Sequence, residues 1–152
     1  MQLTRASDYA VRLMIHLATL PAGVRATRDQ LAVAAEAPPQ FLGKILQSLA
    51  RAGLILSHRG VQGGFELARA GDRITLLDVV EAMEGPLQLN LCLTTRLQCG
   101  RAGWCAAHLV WQRAQSAMAG VLRGATIEQL AVESLARRSP SSPITVEAGA
   151  WS

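Results

Sequence analysis

Apolar residues Ala10, Val11, Met14, Ile15, Leu17 and Ala18 recur at three- and four-residue intervals across residues 7–20, the spacing of a helix with one face turned inward. Pro21-Ala22-Gly23 stops it. Thr27-Arg28-Asp29-Gln30 is a capping box, in which the threonine and glutamine side chains satisfy free backbone donors, so a short helix carrying Leu31, Ala32, Val33 and Ala35 follows. Pro38-Pro39 opens a third helix, because a missing N–H costs nothing in a first turn. Its apolar face is Phe41, Leu42, Ile45, Leu46 and Leu49, with Gln40, Gly43, Lys44, Gln47, Ser48 and Arg51 opposite, and Gly53 ends it. Residues 54–59 and 64–68 then read as short strands around a glycine-rich turn, 60–64. Thr75 caps a helix from Leu76 to Glu84 that Gly85-Pro86 terminates. After an irregular loop, a long helix runs over 104–122, and a second capping box, Thr126 to Gln129, starts a last short helix to Ala136.

Two short helices joined by a tight turn and followed by a hairpin are the order of a winged helix-turn-helix. The predicted fold is mainly α with a small β-hairpin wing and a long C-terminal dimerisation helix. Its parts are residues 1–85, a winged helix-turn-helix DNA-binding domain; 86–103, a cysteine-bearing loop; 104–136, the dimerisation helix and a short terminal helix; and 137–152, a Ser- and Pro-rich tail expected to be disordered. Trp104, Trp111, Met118 and Leu122 line one side of the long helix, more apolar surface than so small a domain covers alone. A second copy of the chain is the expected partner.

Composition sharpens this picture. Half of the 152 residues are apolar, yet only two are Phe and one is Tyr, so the core is aliphatic. The net charge of +4 is unevenly placed: residues 1–70 hold eight Lys/Arg against four acids, and the remainder seven of each. A basic first half points to a polyanion, and with the winged helix to double-stranded promoter DNA. The second helix of such a pair enters the major groove, where Gln40, Gln47 and Ser48 can read base edges and Lys44 can meet guanine or phosphate. Thr27, Arg28 and Pro39, at the starts of the paired helices, complete that surface. On the wing, His58 and Arg59 flank the turn containing Gln62 and Gly63, whose small residues let the backbone approach the DNA.

No apolar run reaches membrane-spanning length and the N-terminus lacks a signal-peptide pattern, so a cytoplasmic chain is expected. No nucleophile–base pair, phosphate loop or acid pair argues for an enzyme, and no small-molecule substrate is expected.

All three cysteines, Cys92, Cys99 and Cys105, fall within fourteen residues, and His108 closes the run. Reduced thiolates favour zinc, copper(I) and iron–sulfur clusters. Structural zinc usually takes closely spaced cysteine pairs, whereas gaps of six and five residues let a loop wrap something larger than one ion. Cys105 is expected in the first turn of the long helix, where the dipole favours a thiolate, with His108 its i,i+3 neighbour.

The stretches MQLTRASDYAVRLMIHLA at 1–18, RGVQGGFELAR at 59–69, ITLLDVVEAMEG at 74–85 and CAAHLVW at 105–111 resemble the Rrf-type family of bacterial iron–sulfur regulators. The likeness covers residues 1 to 136. It implies winged-helix homodimers on palindromic promoter sites, with an iron–sulfur cluster on Cys92, Cys99 and Cys105. Family members like IscR hold a 2Fe–2S cluster with a histidine soon after the third cysteine, where His108 stands. In some members like NsrR, which hold a 4Fe–4S cluster, an aspartate near the N-terminus reaches it from the other subunit, and Asp8 stands there. The local ligand His108, and with it 2Fe–2S, is favoured. Two departures stand out: the first cysteine gap is six residues where five is common, and Gly43 replaces an acidic base-reading residue. The function implied is a transcriptional regulator, such as a repressor, whose DNA binding responds to redox state, nitric oxide or iron status. The alternative keeps the regulator but gives the cysteines zinc or direct thiol oxidation. An electron-transfer or cluster-carrier protein would need neither the winged helix nor the basic half.

Overall fold

The computed structural model describes residues 3–94 and 99–138. Its helices are α1 (Arg5–Thr19), α2 (Arg28–Ala35), α3 (Pro39–Arg51), α4 (Leu76–Glu84), α5 (Ala106–Gly124) and α6 (Ile127–Arg138). The strands are β1 (Ile55–His58) and β2 (Gly64–Leu67), with a short 3-10 turn at Gly71–Arg73 and another at Leu91–Leu93.

α1 is the centre of the molecule. Ala10, Leu13, Met14 and Leu17 are buried along its inner face, which packs against α2, α3, α4 and α6. Leu31, Leu42, Ile45, Leu49, Leu54, Ile55, Ile74, Val79 and Ile127 complete an aliphatic core. Each large side chain there contributes about 1.5–3 kcal/mol relative to exposure. The chain enters α1 one turn before the apolar pattern begins: Thr4 is its N-cap, and the Thr4 hydroxyl accepts from the Ser7 N–H at 3.4 Å.

The capping boxes form as the sequence predicts. In α2, Gln30 N–H donates to Thr27 Oγ1 and Thr27 N–H to Gln30 Oε1. The Thr126–Gln129 pair repeats this at α6. Thr75 gains an unforeseen partner in Asp78, whose carboxylate accepts the Thr75 N–H at 2.9 Å. Pro39 occupies the first position of α3. The expected apolar face of α3 is buried except at Phe41, which is 48% exposed.

β1 and β2 pair antiparallel, with Ile55 opposite Leu67 and His58 opposite Gly64. A bridge between Ala26 and Phe65 adds an outer edge to the wing. Two glycines are fixed by space. A Cβ on Gly63 would lie 2.5 Å from the His58 carbonyl oxygen; one on Gly64, which has φ of +144°, would lie 2.8 Å from that of Ala26.

The long helix begins later than expected, at Ala106, so Trp104 lies outside it and Cys105 is its N-cap in an extended conformation. None of its 19 residues is buried. α6 returns to the core, burying Ile127 and Ala131 against α1, and continues to Arg138. Arg137 and Arg138, expected in the disordered tail 137–152, instead complete α6; the rest of that tail, 139–152, lies outside the described residues. At the α5–α6 junction the backbone pairs with the start of α4: Leu76 N–H donates to Ala125 O at 2.8 Å and Ile127 N–H to Ile74 O at 2.9 Å.

Candidate nucleic-acid interface and cysteine loop

α3 buries Leu42, Ile45, Leu46 and Leu49, which leaves Gln40, Lys44, Gln47 and Arg51 on its open side, with Ser48 half-buried at the edge. Beside it, Thr27 spends its hydroxyl on the α2 cap, while the Arg28 guanidinium reaches across to donate to the Pro39 carbonyl at 3.3 Å. On the wing, Arg59 and Gln62 are exposed, and Val61 projects fully at the tip. Among the described residues, Arg28, Lys44, Arg51 and Arg59 form no ion pair. Unneutralised cations flanked by amides can bind phosphates and read bases.

His58 behaves differently from its wing neighbours. It shares a strand face with Glu66, and its Nε2 lies 2.5 Å from Glu66 Oε1, an ion pair when the imidazole is protonated. Arg25 also faces Glu66, at 3.6 Å, and donates to the Gln62 carbonyl at 3.3 Å. Sequence reasoning missed Arg25 because its role depends on the Ala26–Phe65 bridge, which no local pattern announces.

The cysteine loop is suspended between α4 and α5. Leu87 N–H donates to Glu81 Oε1 on one side and Leu89 N–H to Gln115 Oε1 on the other, both at 3.1 Å. From Cys99 onward successive turns lead into α5: Ala102 N–H bonds the Cys99 carbonyl, Cys105 N–H the Arg101 carbonyl, and His108 N–H the Cys105 carbonyl. All three cysteines are free thiols of intermediate burial. Cys92 and His108 line one cavity of about 500 Å³ together with Gln112, Gln115 and Ser116. Gln112, Gln115 and Ser116 follow His108 at helical spacing and could have been found on that ground. His108 Nδ1 is buried and without a hydrogen-bond partner among the described residues. Cys99 and Cys105 do not line that cavity, and no described group of three His, Cys, Asp or Glu side chains is gathered closely enough to hold a metal ion. The donor set fits a soft metal centre chemically, while Cys99 and Cys105 stand apart from the cavity that Cys92 and His108 share. Asp8 is held by Arg12 at 2.7 Å, and Arg12 also pairs with Glu36.

At the root of the loop, Glu84 closes a clasp on the first turn of α1. Its Oε1 accepts the Thr4 N–H at 2.9 Å, the Thr4 hydroxyl at 2.7 Å and the hydroxyl of buried Ser7. The Ser7 and Thr4 hydrogen bonds hold the Glu84 carboxyl below its ordinary value.

A helix pair presenting amides and free cations beside a basic, glycine-tipped hairpin defines a winged helix-turn-helix DNA-binding protein. The chain belongs to the Rrf2 family, described as iron-dependent transcriptional regulators, whose profile matches residues 3–133. Its family is one of transcriptional regulators. It is similar to a Mycobacterium tuberculosis H37Rv protein named as an HTH-type transcriptional regulator, with 46% identity over 87 residues, 57% of this chain and 54% of that protein. The chain thus spans about half the length of that relative. Its fold is similar to that of CymR, the global cysteine regulator of B. subtilis, at a TM-score of 0.72 and 26% identity, covering 88% of this chain and 98% of that one. It is also similar to T. potens IscR, at a TM-score of 0.74 and 21% identity, covering 93% and 94%. Among the described residues, no helix is long and apolar enough to cross a membrane.

Proposed function

We propose that this regulator is a homodimer, joined through α5, whose promoter binding is governed by an iron–sulfur cluster on Cys92, Cys99 and Cys105, with His108 as fourth ligand. The observation that carries the cluster reading is the unpartnered, buried Nδ1 of His108, which shares a cavity with Cys92 in a loop holding every cysteine of the chain. A polar atom buried without a partner costs free energy that a ligand bond would recover. Asp8, the other candidate, is already paired with Arg12, which favours the local histidine and a 2Fe–2S centre over 4Fe–4S.

Bound there, such a cluster would supply a redox- and nitric-oxide-sensitive link that loosens when damaged or starved of iron. The chain's own residues turn that link into a conformational signal. Cys105 caps α5, so its position sets where the helix begins. Gln115 ties the loop to the middle of α5, and Glu84 ties its root to α1. In a dimer joined along α5, a shift of that helix changes the separation of the two α3 helices, and half-sites are read about 34–36 Å apart.

Iron and acid-labile sulfide in anaerobically prepared protein test the cluster. Brown protein that Cys92→Ala, Cys99→Ala or Cys105→Ala bleaches is the expected result. Colourless protein with stoichiometric zinc and no sulfide assigns the loop to a single ion, and metal-free thiols that oxidise directly assign it to redox chemistry of the cysteines. Loaded and stripped forms should differ in affinity for one operator by at least about tenfold, or roughly 1.4 kcal/mol, at equal salt. Superimposable titrations would remove the gating role.

A further inference from the structure

Helix α3 carries a glycine at a place that its backbone does not require. Gly43 is absent from the residues with positive φ, and no described backbone atom outside its own stretch of helix lies within 4 Å of the Cβ it lacks. Glycine inside a helix weakens it relative to alanine, so the residue has a cost without a conformational reason. Among the described residues beyond its own helix, the group close to the missing Cβ is the Arg28 guanidinium, whose Nη2 would lie 3.4 Å away. Arg28 leaves the first turn of α2 and is steered onto α3 by its bond to the Pro39 carbonyl. Gln40 and Gln47, the i−3 and i+4 neighbours of Gly43, lie next to that position on the open side of α3.

We propose that Arg28 is a base-reading residue lent to α3 by α2: its guanidinium occupies the space left by Gly43 and reads a guanine in the promoter half-site. This rests on α3 being the helix that enters the major groove. The guanidinium has five donors in a rigid fork, and the fork matches the O6 and N7 acceptors of guanine. Pro39 engages Nη2 and fixes where the group lies, while no carboxylate among the described residues neutralises it. Its place beside two amides capable of reading base edges distinguishes it from Arg59, which stands out on the wing. The glycine is part of the device. An alanine would only touch the guanidinium, whereas a longer side chain must displace it.

The test selects operators from a randomised duplex library with the full chain, then measures binding to every single-base variant of the winner over a range of salt concentrations. Arg28→Ala should lose about tenfold or more of the preference for guanine at one position of each half-site, leaving preferences elsewhere intact. Arg28→Lys should lose the same preference while keeping the salt slope, because it retains the charge but not the fork. Gly43→Ala should keep the preference and Gly43→Gln should abolish it. If Arg28→Ala instead weakens all sequences alike and lowers the salt slope by about one, Arg28 is a phosphate contact and the proposal is overturned. It is equally overturned if Arg28→Ala changes nothing or Gly43→Gln preserves the preference. Gln40→Ala and Gln47→Ala separate the two levels: if they alter base preference while Arg28→Ala does not, α3 still reads DNA and only the role of Arg28 falls. If the wild-type chain selects no sequence, both readings fall.

Discussion

Helices α1 and α5 are built from similar material and end in opposite situations. α1 has 15 residues and buries five of them against α2, α3, α4 and α6. α5 has 19 and buries none, and among the described residues it packs mainly on α4 and the short turn at Leu91–Leu93. Both show apolar residues at helical spacing. Periodicity therefore reports that a face will be covered, and it is silent about whether the cover comes from the same chain. On α5 the exposed apolar residues are Leu109, Val110, Trp111 and Val121, a surface that a second copy would bury.

The contrast can be broken most sharply in the core. Leu13→Ala should cost about 2–5 kcal/mol of unfolding free energy, by lost burial and a residual cavity. Val121→Ala, measured by denaturant titration at a concentration low enough to keep the chain monomeric, should change it by about 0.5 kcal/mol or less. Equal losses would mean that α5 is covered within one chain. Next comes assembly: Trp111→Glu with Val121→Glu should leave the helix content unchanged in circular dichroism and give a monomer in sedimentation at micromolar concentration, where the wild type is expected to sediment as a dimer. Each substitution counts twice across a symmetric interface.

On the DNA side, Gln47→Ala should cost about 1–3 kcal/mol at one operator position. Lys44→Ala should weaken every sequence and lower the salt slope by about one. Identical behaviour of the two variants would show that α3 lies along the backbone without entering the groove.

The smallest effect concerns the clasp at Glu84. Its carboxyl is held below the ordinary value, so the stability it adds is fully present above that value and disappears as the pH falls through the depressed one. The difference in melting temperature between wild type and Glu84→Gln should be constant near neutrality and shrink in acid. A difference that grows in acid would reverse the assignment.

What the sequence made legible follows from locality. The Thr27–Gln30 and Thr126–Gln129 boxes, the proline start of α3 and the glycine-tipped wing are written within a few residues, and each appears where expected. The clasp joins residues 80 positions apart, so neither Thr4 nor Glu84 advertises the other. Glu66 draws in His58 through the hairpin register and Arg25 through the Ala26–Phe65 bridge, neither of which is local in sequence. Met118 and Leu122, grouped with Trp111 by spacing, are half-buried on the side towards their own domain, while Val110 and Val121 point out. Spacing defined the stripe; the packing of α5 on α4 decided which edge of it faced solvent.

The pairing of residues 74–76 with 125–127 has a consequence for how the molecule could have been assembled. The chain leaves the core after α4, runs through the loop and along α5, about 28 Å at 1.5 Å per residue, and returns to within a backbone hydrogen bond of the residues that start α4. Topologically, α4, the cysteine-bearing loop and α5 form an excursion with adjoining ends, and α6 is the core resuming after it. Such an insert can be lengthened, recoded or exchanged as a cassette without cutting the sequence that folds the reader. One winged-helix chassis could in this way carry different chemistries on the same arm.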